Sequence, residues 1–139
     1  MSDSSAAPPP RPATPFDRFG GEAQVRALVE RFYDAMDQHE PELAALHQLE
    51  DGRVSRISRD RFALFLIGWL GGPQDYVRLH GHPRLRMRHA HVQVSLAMRD
   101  AWLRSMRVAL ADPSIDPELR AFLDQKLSEL ADFLRNHPS

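Results

Sequence analysis

The sequence predicts an all-α domain. Three observations carry that expectation. Apolar residues from Val25 to Met36 recur at helical spacing. Thr14-Pro15, Ser95 and Asp116-Pro117 each read as a helix start ahead of an apolar stripe. No stretch keeps a period of two for long. The chain has 139 residues, which suits one domain with a sizeable core.

The elements follow in order. Residues 1–13 are small, polar and proline-rich, a tail that cannot form a core, and the folded domain is expected over 14–136, with a short tail at 137–139. Thr14 caps a very short helix opened by Pro15 and ended by Gly20-Gly21. From Glu22 to about Gln38, Val25, Leu28, Val29, Phe32, Tyr33 and Met36 fall at offsets 0, 3, 4, 7, 8 and 11, one face of an amphipathic helix. A looser segment from Pro41 to Arg56 carries His47 and Gly52. Ser58, or the residue before it, caps a helix running to Leu70. Phe62, Leu64, Phe65, Leu66, Ile67, Trp69 and Leu70 make it apolar almost all round, so burial on more than one side is expected. Gly71-Gly72-Pro73 stops it, and Pro73 can open the next short piece. Residues 75–90 are broken by Gly81 and Pro83 and predict a loop with one short helix. Ser95 caps a helix whose face is Met98, Trp102, Met106, Ala109 and Leu110, ended by Asp112-Pro113. The last helix starts at Asp116-Pro117-Glu118 and lines up Leu119, Phe122, Leu123, Leu127, Leu130 and Leu134.

Composition narrows the function classes. A formal net charge of −1 gives no global attraction to nucleic acid or an anionic membrane. The absence of cysteine excludes disulfides, thiolate metal sites and covalent haem attachment. No apolar run reaches transmembrane length and no signal-peptide core is visible, so a cytoplasmic location is expected.

The chemistry concentrates in residues 81–91, Gly-His-Pro-Arg-Leu-Arg-Met-Arg-His-Ala-His, with Trp102 thirteen residues beyond His89. A neutral imidazole is a good ligand for haem iron, and Arg84, Arg86 and Arg88 beside it suit carboxylates. His80, His82 and His91 are rival imidazoles, and the same histidine also reads as an ordinary residue at a helix junction. His89-x-His91 with zinc or copper lacks a third ligand of telling spacing, and the basic run lacks the aromatics of a nucleic-acid surface. Tyr33 and Trp102 sit on apolar faces, where each reads first as a core residue and only second as a donor aimed into a cavity. The glycine pairs serve turns and form no phosphate loop.

Taken in series, Gly20-Gly21, Arg31-Phe32-Tyr33, Gly68-Trp69-Leu70-Gly71-Gly72-Pro73, Gly81 through His89 and Arg99-Asp100-Ala101-Trp102 resemble the truncated globins of the second group. The resemblance spans about residues 15–136. It implies a two-over-two helical sandwich around non-covalent haem b, with His89 as proximal iron ligand. Tyr33, Trp102 and His47 match the ligand-stabilising residues of the distal side. Phe62 falls at the apolar distal position where leucine is commoner, and Ser58 at the gate. Phe32, Phe65, Leu66, Leu85 and Met98 are expected against the porphyrin, and Arg61 and Arg86 at its propionates. His91 and Val92 depart from the Pro-Phe usual after the proximal His-Ala.

The resemblance further implies reversible binding of dioxygen and of other diatomics such as CO and NO, with slow oxygen release from a polar pocket. The alternative is an enzyme using the same haem for nitric oxide dioxygenation or peroxidase-like detoxification, which requires a separate reductase. A haem-free helical interaction domain is the remaining reading. A monomer or weak homodimer is expected, with no nucleic-acid or membrane partner.

Overall fold

The computed structural model describes residues 13–90 and 92–136. The expected tails, apart from Ala13, and the rival imidazole His91 lie outside the described residues. In chain order the elements are α1 (Pro15–Phe19), α2 (Glu22–His39), α3 (Pro41–Ala44), β1 (Leu49–Glu50), β2 (Arg53–Val54), α4 (Arg56–Trp69), α5 (Asp75–His80), α6 (Leu85–Arg88), α7 (Leu96–Leu110) and α8 (Pro117–Phe133). Among them, none is long and apolar enough to cross a membrane.

The helix starts follow side-chain capping. Thr14 and Asp17 form a reciprocal capping box on α1, Ser95 Oγ accepts from Met98 N, and the Asp116 carboxylate accepts from Leu119 N. Each satisfies an amide that the helix itself leaves unpaired.

Helix α2 packs against both α4 and α7, and α8 backs α7, so two helix pairs enclose one core. Val25, Leu28, Val29, Phe32 and Met36 of α2 are almost wholly buried, with Leu66 and Ile67 from α4, Met106 and Leu110 from α7, and Leu119, Leu123 and Leu127 from α8. These are the stripes read from the spacing. Burial of each large side chain contributes roughly 1.5–3 kcal/mol. Helix α1 closes the end of α4, with Phe16 N donating to Leu70 O at 2.9 Å. Gly72 permits that approach, because a Cβ there would meet the Phe16 ring at 2.7 Å.

Three expectations change. The cap of α4 is Ser55, whose Oγ accepts from Ser58 N, so the helix starts a turn earlier than the apolar run suggested. The segment from Pro41 to Arg56 is ordered as α3 and a two-residue hairpin, with Leu49 opposite Val54. Its turn uses Asp51 and Gly52 at positive φ, a local signal that the helical spacing around it masks. Residues 75–90 form two short helices, and Pro73 opens neither, since Gln74 is the N-cap of α5. Helix α4 is buried on more than one side, as its composition predicts, against α2 and α5. Ile57 and Trp69 are exposed, and the side bearing Phe62 and Phe65 lines a cavity.

Candidate functional site

A cavity of about 600 Å³ opens between α4, α6 and α7, a volume within the roughly 300–1,000 Å³ usual for small-molecule sites. Its lining includes His89, Leu85, Val92 and Leu134 together with Tyr33, His47, Ser58, Phe62, Phe65 and Trp102. Met98 and Arg61 also line it. The structure therefore brings together most of the residues singled out from the sequence.

His89 is the C-cap of α6 and half-buried. Its Nδ1 lies 2.7 Å from Leu85 O. A carbonyl only accepts, so Nδ1 carries the proton and Nε2 of the neutral ring has a free lone pair. The backbone beyond it is clamped by Asn136, whose side-chain amide donates to His89 O (3.2 Å) and Val92 O (3.0 Å) and whose Oδ1 accepts from Val94 N (2.7 Å). Nothing local in the sequence marked Asn136; it lies 47 residues from His89 and acts only through the tertiary fold.

Helix α2 presents Phe32 and Tyr33 as neighbours. Phe32 is fully buried and off the cavity, a correction to its expected contact with the porphyrin. It instead touches three rings, Tyr33 at 4.8 Å, Trp102 at 5.2 Å and Phe62 at 5.4 Å between centroids. Phe32 thus fixes the rings that do line the cavity. Leu66 is likewise buried in the core behind Phe62 and Phe65, because it lies on the α2-facing side of α4.

No described residue accepts a hydrogen bond from Tyr33 Oη or Trp102 Nε1, and neither atom is sealed away from the cavity. Burial pushes the Tyr33 phenol well above its ordinary range, although the Arg59 guanidinium 5.7 Å from the ring centroid opposes this, so the hydroxyl stays a donor. His47 differs. Its Nδ1 lies 3.0 Å from Leu43 O and must donate to it, so the neutral ring offers the cavity a lone pair. Burial also lowers its pKa, which favours that neutral form. The expected third donor is therefore an acceptor near neutral pH.

The cationic residues also rearrange. Arg86 is off the cavity: its Nε donates to Phe133 O at 3.0 Å and its guanidinium lies 4.3 Å from the Phe133 ring centroid. Arg88, read with Arg84 and Arg86 as suited to carboxylates but not one of the two expected at the propionates, lines the cavity together with Arg61 and Arg99. Arg99 is held by Asp100 and Asp132. Tyr76 was also missed; it is buried, lines the cavity and meets Phe65 edge-on at 5.8 Å. Its segment shows no helical periodicity long enough to reveal it.

Haem fits this donor set. A flat macrocycle with two carboxylates needs apolar walls, one fixed nitrogen lone pair, and cations where the carboxylates emerge. The cavity provides Phe62 and Phe65, His89 Nε2, and Arg61 and Arg88. Among the described residues, no group of three His, Cys, Asp or Glu could hold a bare metal ion; the His89-x-His91 reading falls partly on His91, outside the described residues.

The family model of the bacterial-like globins matches residues 14–136. A group 2 truncated hemoglobin of Bacillus subtilis is 33% identical over 116 residues, covering 84% of each chain. A cold-adapted truncated hemoglobin from the Antarctic bacterium Pseudoalteromonas haloplanktis superposes with a TM-score of 0.83 at 38% identity, covering 90% of this chain and 99% of that one. A group II 2-on-2 hemoglobin from Agrobacterium tumefaciens superposes with a TM-score of 0.81 at 36% identity, covering 91% and 97%.

Proposed function

We propose, from the premise that this chain belongs to the bacterial-like globins and is a group II truncated haemoglobin of two-over-two helical fold, that it binds dioxygen reversibly in a polar pocket and releases it slowly. Membership implies haem-based binding of diatomic ligands. The finer assignments rest on this chain's own residues. The haem is haem b, held without covalent attachment, since the chain has no cysteine. The haem-binding unit spans residues 14–136.

Bound haem supplies an iron with one coordination position for a diatomic ligand. The protein's residues do the rest. His89 offers Nε2 to the iron, kept in one tautomer by Leu85 O. Tyr33 Oη and Trp102 Nε1 donate to the ligand. Phe62 and Phe65 limit water, and the small side chain of Ser58 leaves a way in. Arg61 and Arg88 hold the propionates. The observation that carries the reading is the presence, in the lining of one cavity, of a fixed imidazole lone pair and two donors that no described protein group accepts from.

Absorption spectra of the haem-supplied protein in the ferric, ferrous and carbonmonoxy states test it. A Soret band that shifts with each state is expected; its absence would leave the helical interaction domain as the reading. Dioxygen release tests the donors. One hydrogen bond to a partly charged ligand in a dry pocket contributes roughly 1–3 kcal/mol, so Trp102→Phe is expected to speed release roughly tenfold to a hundredfold in stopped-flow measurements. An unchanged rate would remove Trp102 from the role.

His47 gives a prediction with a sign. Its pKa lies below the ordinary value of about 6.5, so the ring gains a second proton, and becomes a donor toward the cavity, only as pH falls below that point. Dioxygen release is therefore expected to slow on acidification below about pH 6.5, and His47→Phe to abolish that dependence. Turnover of nitric oxide or peroxide remains the second reading, favoured by the basic rim described next.

A further inference from the structure

Residues 76–99 contain Arg78, Arg84, Arg86, Arg88 and Arg99 and neither Asp nor Glu, in a chain whose formal net charge is −1. The structure concentrates this asymmetry further. Elsewhere, Arg26, Arg53, Arg56, Arg104 and Arg107 each meet a carboxylate. Arg84, Arg86 and Arg88 meet none among the described residues; Arg86 and Arg88 donate to the backbone carbonyls of Phe133 and Pro83. All three are exposed, on or just before α6, the helix that ends at His89. Arg61, on the same cavity's lining, is exposed and also without an acid. Between the arginines Met87 is 66% exposed, and Phe133 under Arg86 is 52% exposed. Arg84 is held at φ 47°, ψ 52°, a left-handed conformation that disfavours its side chain.

We infer that the α6 face is a docking surface for an acidic electron-donor protein that reduces the iron. The inference rests on the haem reading above. Three features select that partner. Arg84 and Arg86 meet no acid among the described residues and are not among the residues that hold the haem, so an incoming acidic surface need break no ion pair to reach them. Apolar side chains lie among them, as in interfaces whose charges steer and whose apolar centre holds. The face borders the cavity, so a partner seated there has a short path to the iron. Nucleic acid fits less well, because the exposed face offers no series of aromatics for bases. The step is one electron from the donor's reduced flavin or iron–sulfur centre to ferric iron, giving ferrous iron; no bond in the chain is made or broken.

The test uses the ferric holoprotein and a purified acidic flavodoxin, photoreduced, in stopped flow. The bimolecular reduction rate is expected to fall about tenfold between about 20 mM and about 300 mM salt. Arg84→Glu/Arg86→Glu is expected to lose a similar factor at low salt, and Arg84→Gln, which keeps the Arg86 tie to Phe133, a smaller one. Arg107→Glu, a charge reversal on α7, is expected to change little. Neutral photoreduced 5-deazariboflavin should reduce all of them equally. Equal flavodoxin rates for wild type and the double variant, or an equal loss in Arg107→Glu, would overturn the inference. So would binding to phosphatidylglycerol vesicles without binding to flavodoxin. Calorimetric titration with oxidised flavodoxin reads docking without the iron, whereas a wild type lacking a Soret band would defeat the haem reading alone.

Discussion

Replacing His89 by alanine is expected to abolish stable haem retention. Among the described residues lining the cavity, His47 and His89 are the imidazoles, and His89 is the one on the α6 wall. Its Nδ1 is committed to Leu85 O, so the ring is oriented before any ligand arrives. Losing an outer partner of a metal ligand weakens binding by about 10–100-fold, and losing the ligand itself should exceed that. The readout is the Soret band after gel filtration of haem-supplied protein. Added imidazole should restore the band partly, because the truncated side chain leaves space of that shape. His82→Ala, an exposed loop position, should leave the band unchanged. A His89→Ala protein with the wild-type spectrum would sink the assignment.

The second large effect is on stability. Arg59 is a buried arginine with only 3% of its side chain exposed. Nε donates to Val54 O, Nη1 to Glu30 and Asp34, and Nη2 to Asp37 at 2.7 Å. One guanidinium thereby ties α2 to α4 and to the hairpin, and lies against the Tyr33 ring. Removing one partner of a buried ion network costs about 3–5 kcal/mol. Glu30 and Asp34 are partly exposed and rehydrate, which places Arg59→Ala near the lower end, about 3 kcal/mol. A fall in the urea midpoint measures this. Arg56→Ala should cost less than about 1 kcal/mol, because that arginine is mostly exposed although it pairs with Glu30 and Asp60. The network also sets an acid limit. Hydrogen bonds from Arg56, and then from Arg59, hold Glu30 below its ordinary pKa; for Asp34, burial acts the other way but Arg59 and Arg53 outweigh it. Depressed carboxylates contribute stability above their unfolded values near 4, and lose it as pH falls through their lower folded values.

Arg59 shows where sequence reading stopped. A charged residue on an otherwise apolar helix reads as solvent-facing, and its three acids are scattered along α2 at Glu30, Asp34 and Asp37. Their i, i+4 and i+7 places form a stripe, but its target was invisible before α4 was docked. Phe32 and Leu66 failed for a related reason. Spacing assigns a residue to the apolar face of a helix; it does not say whether that face meets another helix or a cavity. Tyr33 and Phe62 reached the cavity, while Phe32 and Leu66 went to the core.

Local chemistry was enough for the α2, α7 and α8 stripes, the Thr14, Ser95 and Asp116 caps, and the sharp stop at Gly71-Gly72, because each depends on residues a few positions apart. It was not enough to single out His89, Tyr33 and Trp102, which local chemistry left ambiguous and the resemblance of the motif series to the truncated globins selected. Which nitrogen of His47 faces the cavity, which arginines border it, and that Asn136 clamps the backbone after His89 were decided only by the tertiary structure. Those properties depend on bonds and burial between residues far apart in the chain, and such bonds have no period for a sequence to display.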